Sequence, residues 1–448
     1  MNKLALLFAY MRTLRLRNRF RTREELAAWQ GRKVRAFLLK VRSQSRYYRS
    51  RYDGLAVEDW EQWPVMSKTE FMDGFDDLNT VGISKNEAYE LAVKAEMTRD
   101  FSSKIGAVTV GLSSGTSGHR GIFLVSDRER AAWAGTIMAK VLPDPIYKKQ
   151  RIAFFLRANS NLYETVQSRL LQFHYLDLLD PIEQHIARLQ ELQPTVLVAP
   201  PSMLRLLAEA MNRGELRLQP KKVISIAEVL EPLDEQYIRH AFQSVIHQVY
   251  QCTEGFLAST CTHGTLHINE DVLVIQPEYI DEERRRFLPI ITDFSRASQP
   301  VIRYRLNDIL TFREEPCPCG SLFKAIETIE GRMDDLFYGI HREDGQQRIP
   351  VFPDFIRRAI LLSSEAVMEY RVSQLSPMEL EVAVKLESGN NAAAEARVRQ
   401  ELTDVFRLHG CLPPDVHFTT YRLDAGPTKL RRIKREYGTA GAEDAPSG

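Results

Sequence analysis

Cysteine is scarce, with five in 448 residues. That number excludes a disulfide-stapled secreted scaffold, and its being odd fits a reducing cytoplasm. No stretch approaches 18 uninterrupted apolar residues, so no spanning helix is expected. The opening Met1–Met11 imitates a signal peptide, but its short apolar run ends at Arg12 without a small-residue cleavage site. Charge of either sign is not in excess: 60 Lys and Arg face 59 Asp and Glu. Global basicity of the kind that marks a nucleic-acid partner is therefore missing. Repeats, low-complexity tracts and a Gly-x4-Gly-Lys-Ser/Thr phosphate loop are absent too.

What is present is a large soluble chain. Apolar residues make up 44% and charged residues 27%, enough for a substantial core. The length exceeds one ordinary domain of about 150 residues. The balanced charge hides an asymmetry, because residues 1–52 carry fifteen Lys or Arg against Glu24 and Glu25. Apolar Leu14, Phe37, Leu38 and Val41 are spaced among them as on a helix. Such a basic arm suits an anionic membrane surface or an acidic partner; it equally suits a solvated helix packed on its own protein.

Strands and helices alternate through the middle. Helical spacing covers Asp180–Leu192, and Thr195–Ala199 reads as a short strand closed by Pro200-Pro201. Ser202 is expected to cap a helix over Met203–Met211. Lys222–Ala227 is the next strand, Asp234–Ile246 the next helix and His247–Gln251 a further strand. Alternation of this length predicts a mostly parallel sheet with helices on its faces. Ligands gather at the carboxyl ends of such strands, which singles out Glu228 and Glu254. After about residue 335 the pattern changes to a smaller α+β unit, with helices over Arg357–Leu362 and Ala392–Leu408 and strands over Glu369–Val372 and Leu380–Val384. The stretch from Gly438 reads as a disordered tail.

Four stretches carry chemistry. Ser113-Ser-Gly-Thr-Ser-Gly118 packs four hydroxyls beside two glycines that let successive N–H groups converge, a cradle for phosphate oxygens or an ordinary turn. Tyr250-Gln-Cys-Thr-Glu254 follows a strand; its carboxylate could hold Mg²⁺ beside phosphates, or merely end the strand. Arg303-Tyr-Arg-Leu-Asn-Asp308 and Gly331-Arg-Met-Asp-Asp335 offer Asp308 for a ribose diol and Arg332 as a bidentate fork, with Asp334 where the composition shifts. Gly426-Pro-Thr-Lys429 sets a mobile cation in a basic loop. Each alone has a plain structural reading. Separately, Cys317-Pro-Cys319 together with Cys261 and His267, His263 being the reserve, could form a closed tetrahedral zinc site, or be reduced core thiols beside a hydrogen-bonded histidine.

Taken in order, the four stretches resemble the adenylate-forming superfamily, in particular the phenylacetate–coenzyme A ligase branch and coenzyme-F-synthetase-like proteins, over roughly residues 60–435. Ile226-Ala-Glu228 also resembles the adenine-side strand end of that branch. The resemblance implies an α/β fold: a large N-terminal adenylate-forming domain with mostly parallel sheets flanked by helices, and a small mobile α+β C-terminal domain. The expected organisation is a basic arm over 1–52, a large ATP- and acid-binding domain over 53–333, a small lid domain over 334–437 and the tail over 438–448.

The resemblance further implies that Ser113, Ser114, Gly115, Thr116, Ser117 and Gly118 hold the β- and γ-phosphates of ATP. Tyr250 and Glu228 would lie near adenine, Glu254 on Mg²⁺ and Thr253 on the α-phosphate. Asp308 and Arg332 would take the ribose and its phosphate, Asp334 would be the hinge, and Lys429 would bridge carboxylate and α-phosphate. Some members of the branch hold zinc through Cys and His at such positions. The loop departs from the common superfamily pattern, since Gly118-His-Arg-Gly121 lacks the usual lysine; Asn307 stands where many relatives have Gly. The implied activity is acyl-adenylate formation from a carboxylic acid, aryl or short acyl, with pyrophosphate release and transfer to coenzyme A or a carrier-protein thiol. Amide formation, AMP transfer to a hydroxyl, and a catalytically silent scaffold are the alternatives. A cytoplasmic homodimer without a nucleic-acid partner completes the expectation.

Overall fold

A computed structural model of the chain describes residues 3–98, 104–112, 121–156, 168–364, 366–386, 391–422 and 431–438. The chain forms two compact units. The first comprises Met1–Glu278, Pro289–Leu306 and Phe312–Glu327; the second comprises Tyr279–Leu288, Asn307–Thr311 and Thr328–Gly448.

The first unit is built on five parallel strands, in the order Leu171–Asp177, Gln150–Leu156, Val196–Ala199, Lys222–Ser225 and Ile246–Cys252. Every residue of Val196–Ala199 is buried, as a central parallel strand covered on both faces requires. The two-residue period of a strand sorts the core. Leu197 and Ala199 join Leu204, Leu207 and Ile238 from helices Pro201–Asn212 and Pro232–Phe242. Val196 and Val198 join Ala134 and Met138 of helix Asp127–Val141, with Tyr10 of the first helix. The sheet continues antiparallel through Gly255–Thr260 and Leu266–Ile268. A separate three-stranded antiparallel sheet contains Val108–Leu112 and Ile122–Ser126, with Leu112 opposite Ile122. A Cβ on Gly111 would meet the Phe123 ring at 2.2 Å, so only glycine fits there.

The basic arm is helical as expected: Lys3–Arg17, Arg23–Gln44 and Arg46–Arg51. Thr22 caps the second of these by accepting the Glu25 N–H at 3.2 Å. Leu26, Val34, Leu38 and Tyr48 are fully buried, so this arm is part of the core.

Element ends depart from the sequence reading where local geometry overrides composition. Ser202 does not cap its helix. Pro200 stands at the cap and Pro201 at the first helical position, where its missing N–H costs nothing. The helix expected over Asp234–Ile246 runs Pro232–Phe242 and stops at Gln243, whose left-handed φ of 49° ends it without a glycine signal. The strand expected over Lys222–Ala227 ends at Ser225, and Ala227 turns left-handed with φ 67°.

The second unit holds a four-stranded sheet in the order Asp415–Thr420, Glu379–Leu386, Val367–Ser376, Ile433–Arg435. Its central pair is antiparallel and its outer pairs are parallel. Helices Pro353–Ser363 and Asn391–Leu408 supply Ile356, Ile360, Val398, Leu402 and Phe406, all fully buried. The expected α/β fold with a smaller α+β unit is the one observed.

Candidate active site and metal centre

The carboxyl ends of the parallel strands gather the candidates of the first unit. Tyr250 lies on the last parallel strand, opposite Ala258. Thr253 and Glu254 form the turn to the returning strand, and the Thr253 hydroxyl donates to Glu254 Oε2 at 2.8 Å. Burial and the charge of the nearby Glu254 carboxylate push the Tyr304 phenol well above its ordinary range. Arg296 donates to the Thr253 carbonyl. The same guanidinium reaches the Leu124 carbonyl at 3.4 Å, on the strand next to the Ser113–Gly118 stretch. Glu228 follows the neighbouring strand. Its carboxylate accepts the Ser202 N–H at 3.2 Å, at the positive end of helix Pro201–Asn212.

Residues not singled out from the sequence complete this cluster. Asp293 ends the strand Arg286–Asp293 and is buried. Burial pushes its carboxyl to about 6, against bonds from Ser295 and the Arg296 charge. Ser295 donates through its N–H at 2.8 Å and its hydroxyl at 2.6 Å. A Cβ on Gly255 would lie 3.1 Å from Asp293 Oδ2, so the glycine beside Glu254 admits this acid. A strand-end position was the signal that could have marked Asp293, and Tyr304 lies inside the quoted stretch that ends at Asp308; Arg296 carries no local signal.

The second unit brings Asp308, Arg332 and Asp334 together. Arg332 Nε lies 3.4 Å from Asp308 Oδ1. The Asn307 amide donates to Asp334 Oδ2 at 2.9 Å, and the Asn307 carbonyl accepts the Met333 N–H at 2.8 Å. Asparagine in place of glycine thus adds a bond that glycine could not make. Next door, Arg431 pairs with Asp335, whose carboxyl burial raises. Ser113–Gly118 and Lys429 lie outside the described residues.

The metal-site candidates converge. One ligand atom from each of Cys261, His267, Cys317 and Cys319 falls within 4.8 Å of all the others. Cys261 follows strand Gly255–Thr260, His267 is central in Leu266–Ile268, and the Cys-Pro-Cys loop precedes strand Ala325–Arg332. Cys261 Sγ and Cys317 Sγ are 3.6 Å apart. His267 presents Nε2 to Cys319 while Nδ1 faces the Phe323 carbonyl at 2.9 Å, the outer-shell bond that orients a ligating imidazole. Burial alone would raise Cys317, but the Thr265 hydroxyl, the Cys319 N–H and its thiol and imidazole neighbours hold it down at about 6. Burial and neighbouring thiols push Cys319 up to about 11. His263 is outside the cluster; its N–H bonds Cys261 Sγ at 3.4 Å. Three thiols and one imidazole converging around a common centre fit a tetrahedral zinc ion.

No family model matches the chain. A phenylacetate–coenzyme A ligase of Thermus thermophilus is 22% identical over 222 residues, which are 45% of this chain and 48% of that protein. The chain thus spans about half the length of that relative. Among solved structures, 2-hydroxyisobutyryl-CoA ligase in the postadenylation state, in complex with R3-HIB-AMP, aligns with a TM-score of 0.69 and 17% identity. The alignment covers 93% of this chain and 90% of that one. An amide bond synthetase of Marinactinospora thermotolerans aligns with a TM-score of 0.51 and 15% identity over 72% of this chain and 68% of its own. The chain has the fold of adenylate-forming ligases, and the resemblance carried by the motifs is borne out at that level.

Proposed function

We propose that the protein is an ATP-dependent acid–thiol ligase. It activates a carboxylic acid, aryl or short acyl, as the acyl-adenylate with release of pyrophosphate, then transfers the acyl group to coenzyme A or a carrier-protein thiol. The observation that carries this reading is the Glu254 carboxylate, bonded by the Thr253 hydroxyl at the carboxyl end of a parallel sheet. That cluster belongs to a fold which, in 2-hydroxyisobutyryl-CoA ligase, is seen with an acyl-adenylate and, in another state, with coenzyme A as well.

In the first step a carboxylate oxygen of the acid attacks the α-phosphorus, and the bond to pyrophosphate breaks. Two anions must meet, so positioning and charge neutralisation carry the step. Ser113–Gly118 hold the β- and γ-phosphates, Thr253 contacts the α-phosphate, and Tyr250 and Glu228 flank adenine. Asp308 accepts from the ribose hydroxyls beside Arg332. Mg²⁺ bound at Glu254 would neutralise phosphoryl oxygens. Lys429 bridges the carboxylate and the α-phosphate. In the second step a thiolate attacks the acyl carbonyl and AMP leaves; Asp334 serves as the hinge that withdraws Lys429 once adenylation is done. Cys261, His267, Cys317 and Cys319 hold a structural zinc. A cytoplasmic homodimer agrees with this chemistry and with thiols that are all unpaired in disulfide terms.

Pyrophosphate exchange into ATP, driven by a panel of carboxylic acids, tests the reading. Exchange should require an acid and fall about 10²–10³-fold in Lys429→Ala, the size expected for losing one aimed charge. Retained exchange in that variant removes the lysine assignment, and no exchange with any acid favours a silent scaffold. Faster AMP release with coenzyme A supports a thiol acceptor; acceleration by an amine or alcohol instead transfers the reading to amide formation or AMP transfer.

A further inference from the structure

Helix Lys3–Arg17 is apolar on two faces, and the protein covers one. Ala9, Tyr10, Thr13 and Leu16 are buried. A Cβ on Gly135 of helix Asp127–Val141 would come 2.2 Å from the Leu6 carbonyl, so the two helices touch nearly backbone to backbone. On the opposite side Leu4 is 80% exposed and Phe8 72%, and Leu7, Met11 and Leu14 are exposed with them. At about 100° per residue these five side chains fall within an arc of about 120°. A stripe this contiguous on a surface helix marks an interaction site.

Cations frame the stripe. Arg15 projects within the arc and Lys3 borders it, while Arg17 projects from the side that faces Lys222. Arg19 and Arg21 follow in the connection to the next helix. The arm's fifteen basic residues against two acids leave forty-five against fifty-seven for the remainder of the chain. Some arm cations are used internally: Arg23 pairs with Glu270, Arg51 with Glu70, and Arg12 bonds the Asp271 carbonyl at 3.1 Å. The cations around the stripe are not among these. The molecule therefore presents its positive charge where it also presents exposed apolar surface.

We infer that helix Lys3–Arg17 is a surface anchor that lies flat on an anionic lipid bilayer. Leu4, Leu7, Phe8, Met11 and Leu14 enter the acyl boundary, and Lys3, Arg15, Arg19 and Arg21 meet headgroup phosphates. Among the described residues no helix is long and apolar enough to cross a membrane, so the contact is interfacial. A second copy fits poorly, because a two-fold contact of this stripe with itself would set Arg15 against like charges. The inference does not depend on the ligase reading, because vesicle binding is scored without ATP or acid.

The test uses the full chain, because the arm supplies core residues and its removal would unfold the protein. Co-sedimentation with equimolar phosphatidylglycerol–phosphatidylcholine vesicles at low salt is compared with pure phosphatidylcholine. Wild type should bind the anionic vesicles and not the neutral ones. The double variant Leu4→Asp/Phe8→Asp should lose at least about tenfold in partitioning. Arg15→Glu and Arg19→Glu should each lose about fivefold or more, the weight of one surface charge. Unchanged thermal melting of these variants shows that the loss is local. Wild type remaining in the supernatant with anionic vesicles overturns the anchor, as does a double variant that binds like wild type. A wild-type dimer in light scattering that the double variant dissolves, without vesicle binding, also overturns it and assigns the stripe to self-association.

Discussion

His267 Nε2 lies 3.3 Å from Cys319 Sγ, while the other ring nitrogen is fixed on the Phe323 carbonyl. The imidazole is thus aimed at the thiols, with Cys317 on the same loop as Cys319 and Cys261 on a separate segment closing the set. Protein purified without chelator should carry about one zinc per chain. His267→Ala or Cys317→Ser should fall below about 0.2 and melt at lower temperature, because metal binding adds to folding free energy. Elemental analysis with a thermal melt checks this; full stability in a zinc-free wild type contradicts it.

Arg296 joins three segments through carbonyl and amide oxygens: Thr253, Leu124 and Gln299. It is a positioning residue, since it grips the turn that carries Glu254 rather than a substrate. Arg296→Ala should cost about 1–3 kcal/mol of stability through unsatisfied carbonyls and reduce acid-dependent pyrophosphate exchange about tenfold or more. Arg296→Lys should recover part of the exchange. A purely structural role would lower stability in Arg296→Ala and leave kcat of the surviving folded enzyme intact, and steady-state kinetics corrected for folded fraction separates the two.

Much of this was legible in the chain, for stated reasons. Strand Thr195–Ala199 and helix Asp180–Leu192 announce themselves through β-branching and 3.6-residue spacing, and both are present as Val196–Ala199 and Ile182–Leu192. The convergence of Cys261, His267, Cys317 and Cys319 was readable because these are donor residue types, two of them in a tight Cys-Pro-Cys pair. Helix ends were not. Gln243 adopts a left-handed conformation without glycine, and Ser202 looks like a cap although Pro200-Pro201 already starts the helix. Arg296 was invisible because its role comes from distant partners, the Thr253 and Leu124 carbonyls. No pattern within a few residues encodes such pairings.

The Thr253 hydroxyl bonds the Glu254 carboxylate, and the Tyr304 phenol stands close enough to feel its charge. Tyr304→Phe keeps the ring, which stands 5.2 Å from Phe71 in an edge contact, and removes one donor. A hydrogen bond to a charged group contributes about 1.5–3 kcal/mol. The phenylalanine variant should therefore need at least about tenfold more Mg²⁺-ATP for half-maximal exchange, with a change of only a few degrees in melting temperature. Unchanged KM for Mg²⁺-ATP would detach Glu254 from the nucleotide.

Asp293 supplies a pH test with a definite sign. Its carboxyl is raised from 3.8 to about 6 by burial, so the folded protein holds this proton more tightly than the unfolded chain does. The associated stability is fully present below about pH 4 and is lost as pH rises through about 6; above that the ionised acid is a cost of folding. Asp293→Asn cannot ionise and can still accept from Ser295. Relative to wild type it should melt at nearly the same temperature at pH 4.5 and higher at pH 7.5. The gain there is at most about 3 kcal/mol, from a shift of about two units at 1.36 kcal/mol each. Neighbouring Glu129, which is buried yet held below the usual carboxylate range by bonds from Ser126 and Ser298, is one of the charges that raise Asp293, and relief of that repulsion in Asp293→Asn has the same sign as the gain at pH 7.5. A variant that is less stable than wild type at pH 7.5 would mean that Arg296 holds Asp293 as a favourable ion pair instead.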